Sequence, residues 1–150
     1  MKRTPLRRGT KQLKRTKLRI AGHSDNATLK REIQATLREI VIQRDGGCIL
    51  RHIRNCGGEI GQAVLQADHL LTRANSATYA DERLVVCLCR PCHGGFKKWH
   101  KPEYDRLVKS ILPKETVELW ERCEQDRTPR KQDWKLELIA LKQKLRVDIL

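Results

Sequence analysis

Two thiolates two residues apart on a tight turn can share one tetrahedral zinc ion. Cys89-Arg90-Pro91-Cys92 has that spacing. A second pair must close such a site. Cys48 and Cys56 qualify, because the short loop between them, followed by Gly57-Gly58, can return both sulfurs to one point. Four thiolates leave no open coordination position, so this zinc would be structural. His52 is an alternative ligand in place of one cysteine. The competing expectation is four reduced cysteines buried as small hydrophobes. Cys87, on a strand, and Cys123, on a helix, are expected in the core without a metal role.

Three further residues can do chemistry. Asp68 and His69 are adjacent, and His93 directly follows the second cysteine of the knuckle. If zinc joins the two cysteine pairs, the strands carrying them pair, and the helix after Cys92 lies across them. His69 and the start of that helix become neighbours. One carboxylate, one imidazole ligand and one free imidazole suffice to hold a divalent ion and activate water.

Asp68-His69, a loop, and then Leu88-Cys89-x-x-Cys92-His93 resembles the zinc-containing HNH endonucleases of the ββα-metal type. The similarity covers about residues 45–100. The basic start and Thr72 to Thr78 are similar to small phage and prophage nucleases of the NinG/Rap group. Cys48-x7-Cys56 with Cys92-His93 is similar to the YbcO-like prophage proteins. The resemblance implies a small zinc-stapled ββα-metal core in an α+β chain. It implies His69 as general base, with Asp68 and His93 ligating a catalytic Mg²⁺ or Mn²⁺. It also implies cleavage to 5′-phosphate and 3′-hydroxyl ends, in phage recombination or replication, with phage recombination proteins as partners. An imidazole with a pKa near 6.5 is an available base at neutral pH. The family often has Asn five residues before the first knuckle cysteine; Leu84 stands there, and Asn75 is the candidate to orient the loop instead.

Other cations can contact phosphate. Arg73 follows the base in the loop. Lys97 and Lys98 follow His93 on the expected helix, and His100 is an alternative ion ligand to Asp68. Trp99 is expected in the core, with base stacking as the lesser expectation. Residues 1–20 hold nine Lys/Arg and no acid. Such a segment cannot bury enough apolar surface to order itself. It reads as a basic arm, with Arg3, Arg7, Arg8, Lys14 and Arg15 as phosphate contacts.

The positioning elements follow from pattern. A helix is expected from an N-cap at Ser24 or Asp25, with Leu29, Ile33, Leu37, Ile40 and Val41 on one face and Gly46-Gly47 as its stop. Ala63–Ala67 and Leu84–Leu88 read as strands flanking a polar loop. Pro102 suits the first turn of a helix through Leu112. A second helix is expected near Glu115–Cys123. Trp134, Leu138, Leu141 and Leu145 stripe a last amphipathic helix, which packs on the chain or forms a homodimer contact. The expected organisation is an arm over 1–22, a core over 23–112 and C-terminal helices over 113–150.

Composition sets the outer bounds. The 150 residues carry 32 Lys+Arg against 18 Asp+Glu, a net +14, with only three Trp, two Tyr and one Phe. So few aromatics exclude a large layered core with its own cofactor fold. No apolar run is long enough to span a membrane, and the basic start lacks the apolar stretch of a secretory signal. A cytoplasmic location follows, where cysteines hold metal more readily than they pair. The excess charge calls for a polyanion, DNA in duplex or branched form above all. A non-catalytic zinc module that binds nucleic acid, or a ribosome-associated basic protein, would share the charge and zinc but leave Asp68 and His69 idle.

Overall fold

The computed structural model describes residues 21–61, 63–73, 76–126, 128 and 131–147. The basic-arm residues Arg3, Arg7, Arg8, Lys14 and Arg15, and the loop residue Asn75, lie outside them. The described residues form an α+β arrangement of six α-helices and one two-stranded antiparallel sheet.

Helix α1 (Ala21–Asp45) buries Ile33, Leu37, Ile40 and Val41 at helical spacing, with Leu29 partly covered. Helix propagation costs little once nucleated, and α1 runs N-terminally past the expected caps, so Ser24 and Asp25 lie inside it. It ends where Gly46 and Gly47 take φ +62° and +130°, backbone that glycine alone adopts without strain. Helix α2 (Arg51–Arg54) is a single turn.

Strand β1 (Leu65–His69) starts two residues later than the pattern suggests. Gly61 at φ +83° and the Ala63 N–H bonded to Glu59 O hold the preceding residues in a turn. Asp68 and His69 are therefore the strand's last two residues. Strand β2 (Val85–Cys89) is buried at every position, the mark of a strand covered on both faces. The register pairs Leu65 with Cys89, Ala67 with Cys87 and His69 with Val85. Leu84, expected to open the strand, sits in the 3₁₀ turn Glu82–Leu84, and its carbonyl accepts the Leu70 N–H at 2.9 Å.

The far edge of β2 is closed by the end of α1. Arg44 donates to Val85 O at 2.7 Å, Asp45 accepts the Cys87 N–H at 2.8 Å, and the Ile49 N–H bonds Cys87 O at 3.0 Å. An open edge would leave these groups unpaired. The helix stop thus fixes Cys48 against β2.

After β2, Arg90 opens a helical stretch: a wide π-type turn (Pro91–Phe96) runs into α3 (Lys97–Trp99). Helices α4 (Lys101–Ile111), with Pro102 in its first turn, and α5 (Lys114–Gln125) follow. They bury Tyr104, Val108 and Trp120. Helix α6 (Trp134–Val147) lays Leu138 and Leu141 into the core beside α1, with Trp134 and Leu145 partly covered. The apolar stripe is thus spent on its own chain. No helix among the described residues is long and apolar enough to cross a membrane.

Candidate functional site

The four expected cysteines converge. The sulfurs of Cys48, Cys56, Cys89 and Cys92 all lie within 4.8 Å of one another, so the cluster can hold a metal ion. Four sulfurs bound to one zinc at about 2.3 Å stand about 3.8 Å apart, so little contraction is needed. Backbone brings them there. The Cys48 N–H bonds Gly58 O at 2.7 Å, folding the Cys56 loop over β2. The Arg54 guanidinium lies 3.5 Å above the Phe96 ring, pinning α2 to the turn that carries Cys92. Gly58 has no room for a side chain: a Cβ there would stand 2.4 Å from Cys48 Cβ and 3.2 Å from Cys89 Cβ.

The cluster's electrostatics suit a cation. The hydrogen bond from the Cys92 thiol lowers the Cys48 thiol pKa, against the opposing effect of burial. The same bond, with burial, pushes Cys92 well up, and burial raises Cys89. A metal ion bound by the four sulfurs would displace their protons. Cys87 stands apart in the core, its thiol pushed by burial to about 12. Cys123 is half-buried against the core. His52 is exposed and outside the cluster, which corrects its candidacy as a ligand.

Alternation along β1 turns Asp68 and His69 to different neighbours. Asp68, 3% exposed, faces the helical layer. His93 Nε2 stands 3.2 Å from its Oδ1, and the Tyr104 hydroxyl donates to its Oδ2 at 2.8 Å. Burial and the Asp68 charge raise the Tyr104 phenol, so it stays a donor. Lys97 Nζ donates to both carboxylate oxygens at 2.7 Å and to the His69 carbonyl at 2.8 Å. Lys97, expected on a phosphate-facing surface, instead sits within the site.

His69 faces the loop between the strands. Its Nε2 is 3.0 Å from the Tyr79 carbonyl. A carbonyl only accepts, so Nε2 carries the proton and Nδ1 is the bare lone pair. Nδ1 is buried and has no hydrogen-bond partner among the described residues. Burial lowers the His69 pKa, helped by the charges of Arg73 and Lys97 and opposed by the Tyr79 carbonyl and Asp68. The ring is therefore a neutral base with its free nitrogen fixed in direction.

Around this centre, Arg73 is exposed on the loop and shares a groove of about 390 Å³ with His93, Gln66 and Arg38 of α1. Lys98 is exposed. Trp99, expected in the core, is 73% exposed, with Lys98 Nζ 4.9 Å from its ring. Phe96 and Tyr104, by contrast, are buried and stand edge to face at 6.3 Å. His100 is exposed and stacks on Phe96 at 5.7 Å.

Sequence reasoning missed Tyr79, Tyr104 and the true place of Lys97. Tyr104 had one available signal: a tyrosine on the inner face of an amphipathic helix needs a partner for its hydroxyl. Tyr79 acts through its carbonyl, which no side-chain pattern reveals.

Comparison with family models, curated proteins and solved structures returned no match. Function is therefore read from the site's own geometry.

Proposed function

We propose that this chain is a metal-dependent endonuclease of the HNH type, hydrolysing DNA phosphodiester bonds, with a structural zinc ion on Cys48, Cys56, Cys89 and Cys92. The observation that carries the proposal is His69: a buried neutral imidazole, its Nε2–H spent on the Tyr79 carbonyl, its Nδ1 bare, one residue from a buried carboxylate. A structural zinc finger has no use for that arrangement.

His69 Nδ1 takes a proton from the attacking water. The water oxygen bonds to phosphorus, the bond to the 3′ oxygen breaks, and that oxygen gains a proton from solvent. Tyr79 holds the ring in the productive tautomer. Nδ1 is shielded from bulk solvent, so the covering loop must admit the nucleophile. Asp68 Oδ1 and His93 Nε2, 3.2 Å apart, are spaced as neighbouring ligands of one small ion and would hold Mg²⁺ or Mn²⁺. Such an ion supplies charge stabilisation at the scissile phosphate and the leaving oxygen. Arg73 anchors an adjacent phosphate. The resemblance extends the proposal to 5′-phosphate products, to phage recombination or replication in the bacterial cytoplasm, and to duplex or branched DNA.

One observation favours a second reading, a non-catalytic zinc module that binds nucleic acid. Lys97 and Tyr104 already satisfy Asp68. Cleavage of plasmid and branched DNA with Mg²⁺ or Mn²⁺ separates the two. The nuclease reading expects cleavage by the wild type and a loss of at least about 100-fold in His69→Ala, the scale of a general base, with binding retained. Binding without cleavage in both proteins would leave the binding module.

A further inference from the structure

Lys97 is the unexpected feature of the site. Its ammonium lies side-on to Asp68, 2.7 Å from both Oδ1 and Oδ2, and donates to the His69 carbonyl at 2.8 Å. The acceptors are two carboxylate oxygens and a carbonyl oxygen, beside the His93 imidazole. A hard divalent cation takes that same oxygen set.

A carboxylate only 3% exposed needs a counter-cation. Lys97 supplies it. An ion bound to the same oxygens at about 2.1 Å would stand only a few ångströms from Nζ. Like charges that close, in a buried setting, exclude each other. The ammonium can leave without backbone movement. It sits on a four-carbon stem at the start of α3, and the Lys97 side chain retains 20% exposure.

We propose that Lys97 is a built-in occupant of the cation locus, and that a divalent ion binds Asp68 and His93 only by expelling the Lys97 ammonium. The inference rests on the reading of Asp68 and His93 as ion ligands. It resolves the conflict at Asp68: the saturated carboxylate is the ion-free state of an exchange site. Lys97 thereby sets the ion affinity, weakening it by competition, and becomes free for other contacts once the ion is seated.

The test is Mn²⁺ titration of the full, zinc-loaded chain, followed by electron paramagnetic resonance or calorimetry. Lys97→Met keeps the stem and removes the charge. Mn²⁺ should bind this variant at least about tenfold more tightly than the wild type, and Asp68→Asn in the same background should abolish the gain. Independently, acylation of the Lys97 amine, followed by mass spectrometry on the wild type, should rise when Mn²⁺ is added. Equal or weaker Mn²⁺ binding by Lys97→Met, or acylation indifferent to Mn²⁺, would overturn the exchange. The nuclease reading fails separately: it falls if His69→Ala cleaves as the wild type does, whatever Lys97 does.

Discussion

At the scale of single residues, His69 gives the sharpest expectation. Its ordinary pKa is about 6.5, and burial lowers it in the fold. The folded chain therefore resists protonation that the unfolded chain accepts. The stability tied to neutral His69 is fully present above pH ~6.5 and is lost as pH falls through the lower folded value. The base form follows the same window. The acid limb of kcat/KM attributable to His69 should thus lie below pH ~6.5, and the pH dependence of unfolding in acid should flatten in His69→Asn. An acid limb at or above ~6.5 would mean that the catalytic base is not the buried neutral imidazole of His69. That Asp68 and His93 come together was legible in the sequence, because residue type and spacing carry chemistry directly. The Tyr79 carbonyl was not, since any residue could supply it. Lys97 was misplaced because a cation beside other cations on a helix reads as a solvated face, and only the fold shows the buried carboxylate that captures it.

At the scale of elements, the metal cluster depends on one backbone crossing. Gly58 passes so close to Cys48 and Cys89 that a Cβ would overlap their Cβ atoms. Gly58→Ala should lower stability by about 1–3 kcal/mol, as overpacking does, and weaken zinc retention against a chelator. Gly57→Ala is the control. Gly57 has φ +62° but nothing within 4 Å of a would-be Cβ, so alanine meets only the left-handed backbone penalty, roughly 1 kcal/mol. Its zinc retention should match the wild type. Equal zinc loss in both variants would show that the loop conformation matters, with no special role for the close approach. The sequence marked Gly57-Gly58 as a turn but could not distinguish the two glycines. Element types were legible from periodicity, down to the α6 stripe. Boundaries were not: β1 slid by two residues because a turn at Gly61 and pairing with β2 set its ends, and α1 overran its capping residues.

At the scale of the whole molecule, the net charge of +14 is an expectation about affinity, and the fold decides which cations express it. Several of them are already engaged with acids or carbonyls: Lys97 with Asp68, Lys142 with Glu32, Lys109 with Glu121, Arg44 with Asp45 and Val85 O. Arg73 differs, being exposed beside His69 and the groove shared with His93. Composition alone cannot separate the two kinds, because a paired lysine and an exposed one are the same letter. Binding to nucleic acid can. Each phosphate neutralised releases counterions and adds about 0.9 to the slope of log affinity against log salt. Without divalent ions, Arg73→Ala should reduce that slope on duplex DNA by about 0.9. Lys97→Met should leave it unchanged, since its ammonium is held by Asp68 and the His69 carbonyl. A slope reduced by Lys97→Met would place that ammonium on the DNA in the ion-free protein. The captured cation at Asp68 would then have to be given up along with the division of surface charge drawn from it.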